Sequence, residues 1–290
     1  MSDVPVEPPI HAVRAAVAAA LAEDLTPLGD LSAALGPVDD SIEAVFVSRA
    51  TGVRAGTACA TEAFAQLDPA VTVTWKHRDG DRLDAGTTVA TVTGPLAPVL
   101  TGERTALNFL CHLSGIATLT RRFADAAAEG GDARIWDTRK TTPGLRSLEK
   151  AAVRAGGGAS HRGNLSDWVM FKDNHLAAIG IEEAVRRARA AWPARTIHVE
   201  VDDLEGLRTA LTAGCDAVLL DNFTTDQATE AVAVADAWAA EQGVRRPLLE
   251  CSGGITVDTA AAYAAAGVDL LSTSQITQSA PALDIGLDVV

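Results

Sequence analysis

The stretch TIHVEVDDLEGLRTALTAGCDAVLLDNF, Thr196 to Phe223, decides the fold class. Thr196–Val201 reads as a short strand, 203–213 as a helix and Ala217–Leu220 as a second strand. Strands joined through a helix lie parallel, because the crossover carries the chain back to its starting edge. Both strands end in acids, EVD at 200–202 and DNF at 221–223. In parallel α/β architectures chemistry gathers at the carboxyl ends of the strands, which makes Glu200 and Asp221 the first candidate site residues.

The same rhythm extends in both directions. Apolar runs at Arg134–Asp137, Val169–Lys172, Leu248–Cys251 and Leu270–Thr273 alternate with helical stretches near 145–155, 181–191, 224–241 and 257–266. Six such units predict an incomplete (β/α) barrel over residues 113–276. An open doubly wound sheet is the alternative, but no glycine-rich dinucleotide fingerprint follows any strand.

Residues 1–112 read differently. A leader of residues 1–8 precedes a helix at 9–23, a strand at Glu43–Ser48 and a helix near 57–66. VTVTW (71–75) and TTVATV (87–92) alternate as partner strands joined by a polar hairpin-type connection. Pro95 and Pro98 mark a boundary before a long helical stretch, which Ser114-Gly115 is expected to interrupt. This part is a smaller N-terminal α+β sandwich domain, on which the tail 277–290 can pack.

Bulk properties narrow the function classes. The net charge of -14 opposes binding to nucleic acid or anionic membranes. Any anionic substrate needs a local cluster of cations working against that field. The four cysteines are far apart and form no CxxC, which fits reduced thiols in a cytoplasmic protein rather than a zinc site. No run approaches the ~20 apolar residues of a membrane-spanning helix, and no signal peptide is evident.

The expected strand ends supply such a cluster. DTRK places Thr138, Arg139 and Lys140 after the first strand, and KDNH places Lys172 after the second. The intervening GGGASHRGN adds His161 and Arg162. Arginine forks match carboxylate or phosphate, and lysine is a mobile point charge. The acid pair Glu200 and Asp221 can hold Mg²⁺ or sugar hydroxyls, or stabilise a developing cation. After the fifth strand, Ser252-Gly253-Gly254 precedes a helix, and STSQ follows the sixth; glycine turns and helix N-termini suit phosphate. Arg104 shares a helical face with Leu100, Leu107 and Cys111, which suits an interface position or a cation snorkelling to solvent.

Singly, each feature has a plainer reading. Asp137 can pair with Arg139 in a loop, the acids can cap helices, and the glycines can end them. Five cations and two acids meeting at one barrel mouth are harder to dismiss.

At these residues the chain resembles a known family. DTRKTTPGLR, GGGASHR, KDNH, HVEVD, LLDNF and SGG, in this order, are similar to quinolinate phosphoribosyltransferase (nicotinate-nucleotide pyrophosphorylase, carboxylating). EDL…GD, GERTALNFLCHLSGIAT and ALDIGLD extend the resemblance over nearly the whole chain.

The resemblance implies conversion of quinolinate and 5-phosphoribosyl 1-pyrophosphate to nicotinate mononucleotide, pyrophosphate and CO₂, with Mg²⁺, in NAD biosynthesis. It implies that Arg104 crosses to the site of a partner subunit in a homodimer or larger assembly. Arg139, His161, Arg162 and Lys172 then hold the quinolinate carboxylates, with Thr138 a further substrate-binding residue, while Lys140, Glu200 and Asp221 surround the phosphoribosyl group and metal. Ser252, Gly253 and Gly254, with Ser274, Gln275 and Ile276, form the 5-phosphate loops. Many relatives have glycine where Ser274 stands. A positive φ there would strain Ser274, whereas an ordinary φ leaves its hydroxyl available to phosphate. Rival readings are a Schiff-base aldolase using Lys140 or Lys172, a non-catalytic metabolite sensor, and a paralogue linked to molybdate metabolism.

Overall fold

The computed structural model describes residues 6–36 and 40–290; of the expected leader at 1–8, residues 1–5 lie outside the described residues. Two compact units emerge. Among the described residues, the first takes those from 6–121, 140–157 and 276–290, and the second those from 122–139 and 158–275.

In chain order the elements begin with α1 (Ile10–Leu25), β1 (Ser41–Ser48), β2 (Gly52–Val53), α2 (Thr57–Ala65), β3 (Thr72–Trp75), β4 (Arg82–Leu83), β5 (Thr88–Pro95) and α3 (Leu96–Gly130). Then come β6 (Arg134–Trp136), α4 (Arg146–Ala155), β7 (Val169–Phe171), α5 (Asp173–Ile179), α6 (Ile181–Ala191), β8 (Ile197–Val201) and α7 (Leu204–Ala213). The chain ends with β9 (Ala217–Asp221), α8 (Thr225–Gln242), β10 (Leu248–Ser252), α9 (Val257–Ala265), β11 (Leu270–Ser272), α10 (Gln275–Gln278) and β12 (Ile285–Val289).

The first unit is built on an antiparallel sheet of order β12-β1-β5-β3. Alternation in β1 turns Ala44, Phe46 and Ser48 inward. Phe46 stacks on Trp75 at 5.9 Å between centroids and meets Phe64 of α2 at 6.3 Å. β3 and β5 pair as expected. Part of the connection between them is itself β4, which pairs with β2.

The expected break in α3 does not occur: the helix runs unbroken for 35 residues. Ser114 and Gly115 serve packing instead. The Ser114 hydroxyl donates to the Ala55 carbonyl and accepts its N–H, both at 3.0 Å. A Cβ on Gly115 would stand 2.1 Å from the Pro281 carbonyl oxygen, so only glycine admits the C-terminal segment. Helix α4 also belongs to this unit. Its wholly buried Glu149 accepts from the Thr142 amide at 3.1 Å and pairs with His112 at 2.9 Å.

The second unit contains six parallel strands in the order β6-β11-β10-β9-β8-β7. Read as a ring, this is chain order with a single pairing missing, between β6 and β7. The sheet is therefore a barrel with one open seam. Ala159 bridges to Trp136 and extends the β6 edge. Aromatic side chains fill the space: His161 lies 4.8 Å from Trp168 and 5.7 Å from Trp136 between ring centroids.

Parallel register fixes which side chains share a face. Glu200 pairs with Leu219, and Leu219 with Glu250. Because side chains alternate, His198 and Glu200, Leu219 and Asp221, and Glu250 and Ser252 project to the same side. Val199, Val201, Val218, Leu220, Leu249 and Cys251 project to the other and are buried there. Both faces are thus covered, as an all-parallel sheet requires.

Candidate active site at the carboxyl ends of the parallel strands

Lys172 and Glu200 meet at the ends of β7 and β8. The Lys172 ammonium donates to the Glu200 carboxylate, which is 13% exposed. Engagement by an acid distinguishes this lysine from a Schiff-base nucleophile, which needs an apolar pocket. Asp221 ends β9, and its Oδ2 accepts from Asn222 Nδ2 at 2.9 Å.

Asn222 is the only non-glycine residue with positive φ among those described, at 56°. Its amide donates to the Ser252 carbonyl at 2.9 Å, which ties the DNF turn to the SGG turn. Gly253 takes φ 100°, and a Cβ there would lie 2.2 Å from Asn222 Oδ1. Gly254 takes φ 64°. Both features exclude larger residues and leave a concave backbone after β10. Ser274 has no positive φ, so the strain that a glycine-requiring backbone would impose does not arise. Thr273, beside it, accepts from the Gln275 amide at 3.3 Å.

On the β6 side, Asp137 is wholly buried and its Oδ1 accepts from the His161 amide at 2.8 Å. This bond holds the His161-Arg162 loop against the DTRK turn. Arg162 is 8% exposed, and its guanidinium is held below its ordinary pKa, first by burial and then by the like charge of Arg139; Glu200 and Asp167 act in the opposite direction. Two neighbouring guanidiniums, one of them buried, make a receptor for an anion.

Thr138, Arg139, His161, Arg162, Lys172, Glu200, Asp221, Ser252, Gly253, Gly254, Ser274 and Gln275 all belong to the second unit. Arg104, Lys140 and Ile276 belong to the first. Arg104 is exposed on α3, beside a Leu100 that is 44% exposed. The Lys140 carbonyl accepts from the Thr277 hydroxyl at 2.7 Å. Ile276 is wholly buried, so only its backbone can face a ligand.

Sequence reasoning passed over His198 and Glu250, which lie two residues before Glu200 and Ser252 on the same face. Each places its nearest nitrogen or oxygen 3.4 Å from the other, with His161 Nε2 also 3.4 Å from Glu250 Oε2. A charged residue at an in-facing position of an apolar strand, as in LLECS, was the available signal.

A barrel whose carboxyl edge gathers guanidinium, ammonium and carboxylate groups around a glycine turn is the architecture of an enzyme for small, multiply anionic substrates. Comparison with known proteins makes this specific. Residues 30–114 match the quinolinate phosphoribosyl transferase N-terminal domain, and residues 116–288 match the C-terminal domain. The chain is similar to nicotinate-nucleotide pyrophosphorylase [carboxylating] of Mycobacterium leprae, with 42% identity over 96% of this chain and 97% of that protein. A probable enzyme of the same name from Bacillus subtilis is 42% identical over 90% of this chain and 88% of its own. The solved nicotinate-nucleotide pyrophosphorylase of Francisella tularensis superimposes with a TM-score of 0.92 at 34% identity, over 100% of both chains. The chain belongs to the quinolinate phosphoribosyl transferase family.

Proposed function

We infer that the chain catalyses the reaction of quinolinate with 5-phosphoribosyl 1-pyrophosphate, yielding nicotinate mononucleotide, pyrophosphate and CO₂ in NAD biosynthesis. The enzyme is a carboxylating nicotinate-nucleotide pyrophosphorylase, a pentosyltransferase. The observation that carries this reading is the meeting of Lys172 and Glu200 at the ends of β7 and β8, in a chain that matches both quinolinate phosphoribosyl transferase domains. A dicarboxylate satisfies the cations, while the acid serves the charge that develops on a sugar.

Arg139, Arg162, Lys172, His161 and Thr138 orient the two carboxylates of the pyridine. The ring nitrogen attacks C1 of the ribose, the N–C bond forms, and the C1–O bond to pyrophosphate breaks. Positive charge builds on the sugar, and Glu200 and Asp221 stabilise it from adjacent strands. Lys140 offsets charge on the departing pyrophosphate. Ser252, Gly253 and Gly254, with Ser274, Gln275 and the Ile276 backbone, cradle the 5-phosphate. The 2-carboxylate then leaves as CO₂; its electron pair stays at C2 beside the cationic ring nitrogen, and C2 takes up a proton. The ring is its own electron sink, so no organic cofactor is required.

Two carboxylates at neighbouring strand ends fit Mg²⁺, which binds through one or two protein carboxylates plus substrate oxygens. Glu200 and Asp221 would hold it, and when bound it neutralises pyrophosphate charge. Exposed Arg104 reaches the site of a partner subunit in a homodimer, consistent with its position beside exposed Leu100. No helix among the described residues is long and apolar enough to cross a membrane.

The test is an assay of purified protein with quinolinate, phosphoribosyl pyrophosphate and Mg²⁺, following nicotinate mononucleotide and CO₂. Equimolar formation of both is expected. Absence of turnover, or turnover independent of quinolinate, overturns the assignment.

A further inference from the structure

His161 is enclosed by side chains that the reaction itself does not use. Its ring packs against Trp168 at 4.8 Å and Trp136 at 5.7 Å, and stacks on His198 at 5.8 Å with 27° between planes. Its Nε2 lies 3.4 Å from Glu250 Oε2, and His198 Nε2 lies at the same distance from the same oxygen. Glu250 is wholly buried, His198 is 2% exposed and His161 is 6% exposed.

A carboxylate in such a place would ordinarily be neutralised. Burial does push the Glu250 carboxyl upward, but the polar groups of His161 and Ser272 beside it and the imidazole of His198 outweigh it, leaving its pKa below the ordinary value. The interior therefore holds an anion whose partner is a residue of the proposed quinolinate site. Retaining one buried charge beside an imidazole is costly unless that imidazole's orientation or proton matters.

We propose that Glu250 is a positioning residue for His161: from the in-facing side of β10 it holds the imidazole by Nε2 and so sets the ring direction presented to the substrate. His198 seats the Glu250 carboxylate from the other side, while the two tryptophans limit rotation of the ring. A carboxylate held at one imidazole nitrogen fixes the plane of the ring and so the edge it turns toward a ligand. The buried aspartate of hydrolytic triads acts on its histidine in the same manner. The proposal rests on the reading of this mouth as a quinolinate site.

The same three side chains present ligand atoms within 4.8 Å of one another, so a metal ion is the competing occupant. The cluster offers three protein ligand atoms, one short of the four of a closed structural zinc site, which favours the positioning role.

A double-mutant cycle tests it. Glu250→Gln keeps the volume and removes the charge; it should raise the quinolinate KM about tenfold and leave the phosphoribosyl pyrophosphate KM within about twofold. In a His161→Ala background the same change should move the quinolinate KM by less than about twofold. An unchanged KM in Glu250→Gln, or effects that simply multiply, overturns the proposal. A substitution at a buried charge can also lose the fold, so the wild-type protein supplies a second measurement. Side-chain ¹⁵N–¹H spectra, assigned with His161→Asn, should show a proton on His161 Nε2 protected from solvent exchange; an unprotonated Nε2 overturns the proposal. Stoichiometric zinc or another transition metal that is lost in Glu250→Gln also overturns it, in favour of a metal site. Failure of wild-type protein to turn over quinolinate would instead sink the functional reading, while the spectra still decide the His161–Glu250 link.

Discussion

Lys172 and Glu200 form an ion pair across the carboxyl ends of two neighbouring parallel strands, so a proposed substrate-binding cation and a proposed catalytic acid are one electrostatic unit. Their substitutions should not be independent. Glu200→Gln is expected to lower kcat by about 10²-fold or more, the scale of a lost transition-state electrostatic contact. Lys172→Ala should chiefly raise the quinolinate KM. The double variant should fall short of the product of the two effects by about fivefold, a coupling of about 1 kcal/mol. Steady-state kinetics of the four proteins check this, and strict multiplicativity would disprove it.

Arg162 is the most buried guanidinium of the site, and its fork is its value. Arg162→Lys keeps the charge but loses bidentate geometry. It should raise the quinolinate KM about tenfold or more, with the phosphoribosyl pyrophosphate KM little changed. Equal shifts in both KM values would remove Arg162 from the quinolinate side.

Gly253 faces Asn222 too closely for any side chain. Gly253→Ala must distort the turn that joins the ends of β9 and β10. The expected result is a phosphoribosyl pyrophosphate KM raised about tenfold, from a local cost of about 1–3 kcal/mol. Isothermal titration with phosphoribosyl pyrophosphate and Mg²⁺ reads this directly; unaltered affinity would argue against a phosphate role for SGG.

Acid should loosen the fold through the interior pair. Burial lowers His198 from 6.5 to about 4, against the attraction of Glu250, and Glu250 itself is lowered from 4.5. Groups with depressed folded-state pKa contribute stability above their unfolded values and lose it as pH falls. Stability should therefore decline as pH drops from 6.5 toward 4, by up to about 3 kcal/mol from His198 alone. Urea unfolding across this range checks it, and His198→Asn should flatten that part of the slope.

Cysteine reactivity should be low. Burial pushes Cys59, Cys215 and Cys251 up to about 12, and also raises Cys111. Thiolates at pH 8 are then scarce, and all but the half-buried Cys111 are shielded from solvent. A chromogenic disulfide reagent should label less than about one thiol per native chain within minutes, and all four after denaturation.

Much of this molecule was legible in the sequence because parallel strands and crossover helices impose strong periodicity. All six strands of the second unit and the polar residues at their ends were read in place. What escaped reading depended on distant partners. Ser114-Gly115 looks like a helix break, yet the approach of Pro281 from far along the chain explains its composition. β2 and β4 are too short for a period to appear. The chain segment carrying α4 lies between two barrel strands in sequence but joins the other unit, an assignment no local pattern contains. His198 and Glu250 are conspicuous only once the register shows that they share a face.

The missing pairing between β6 and β7 makes the barrel a bracelet with a clasp. Everywhere else the ring is fastened by backbone hydrogen bonds, which any sequence can supply. At the clasp it is fastened by Trp136, His161 and Trp168, which sequence alone supplies. Changes in those three side chains can widen, tighten or redirect one side of the mouth while the rest of the ladder keeps its register. The clasp is thus the part of the ring where selection could reshape substrate fit without redesigning the fold.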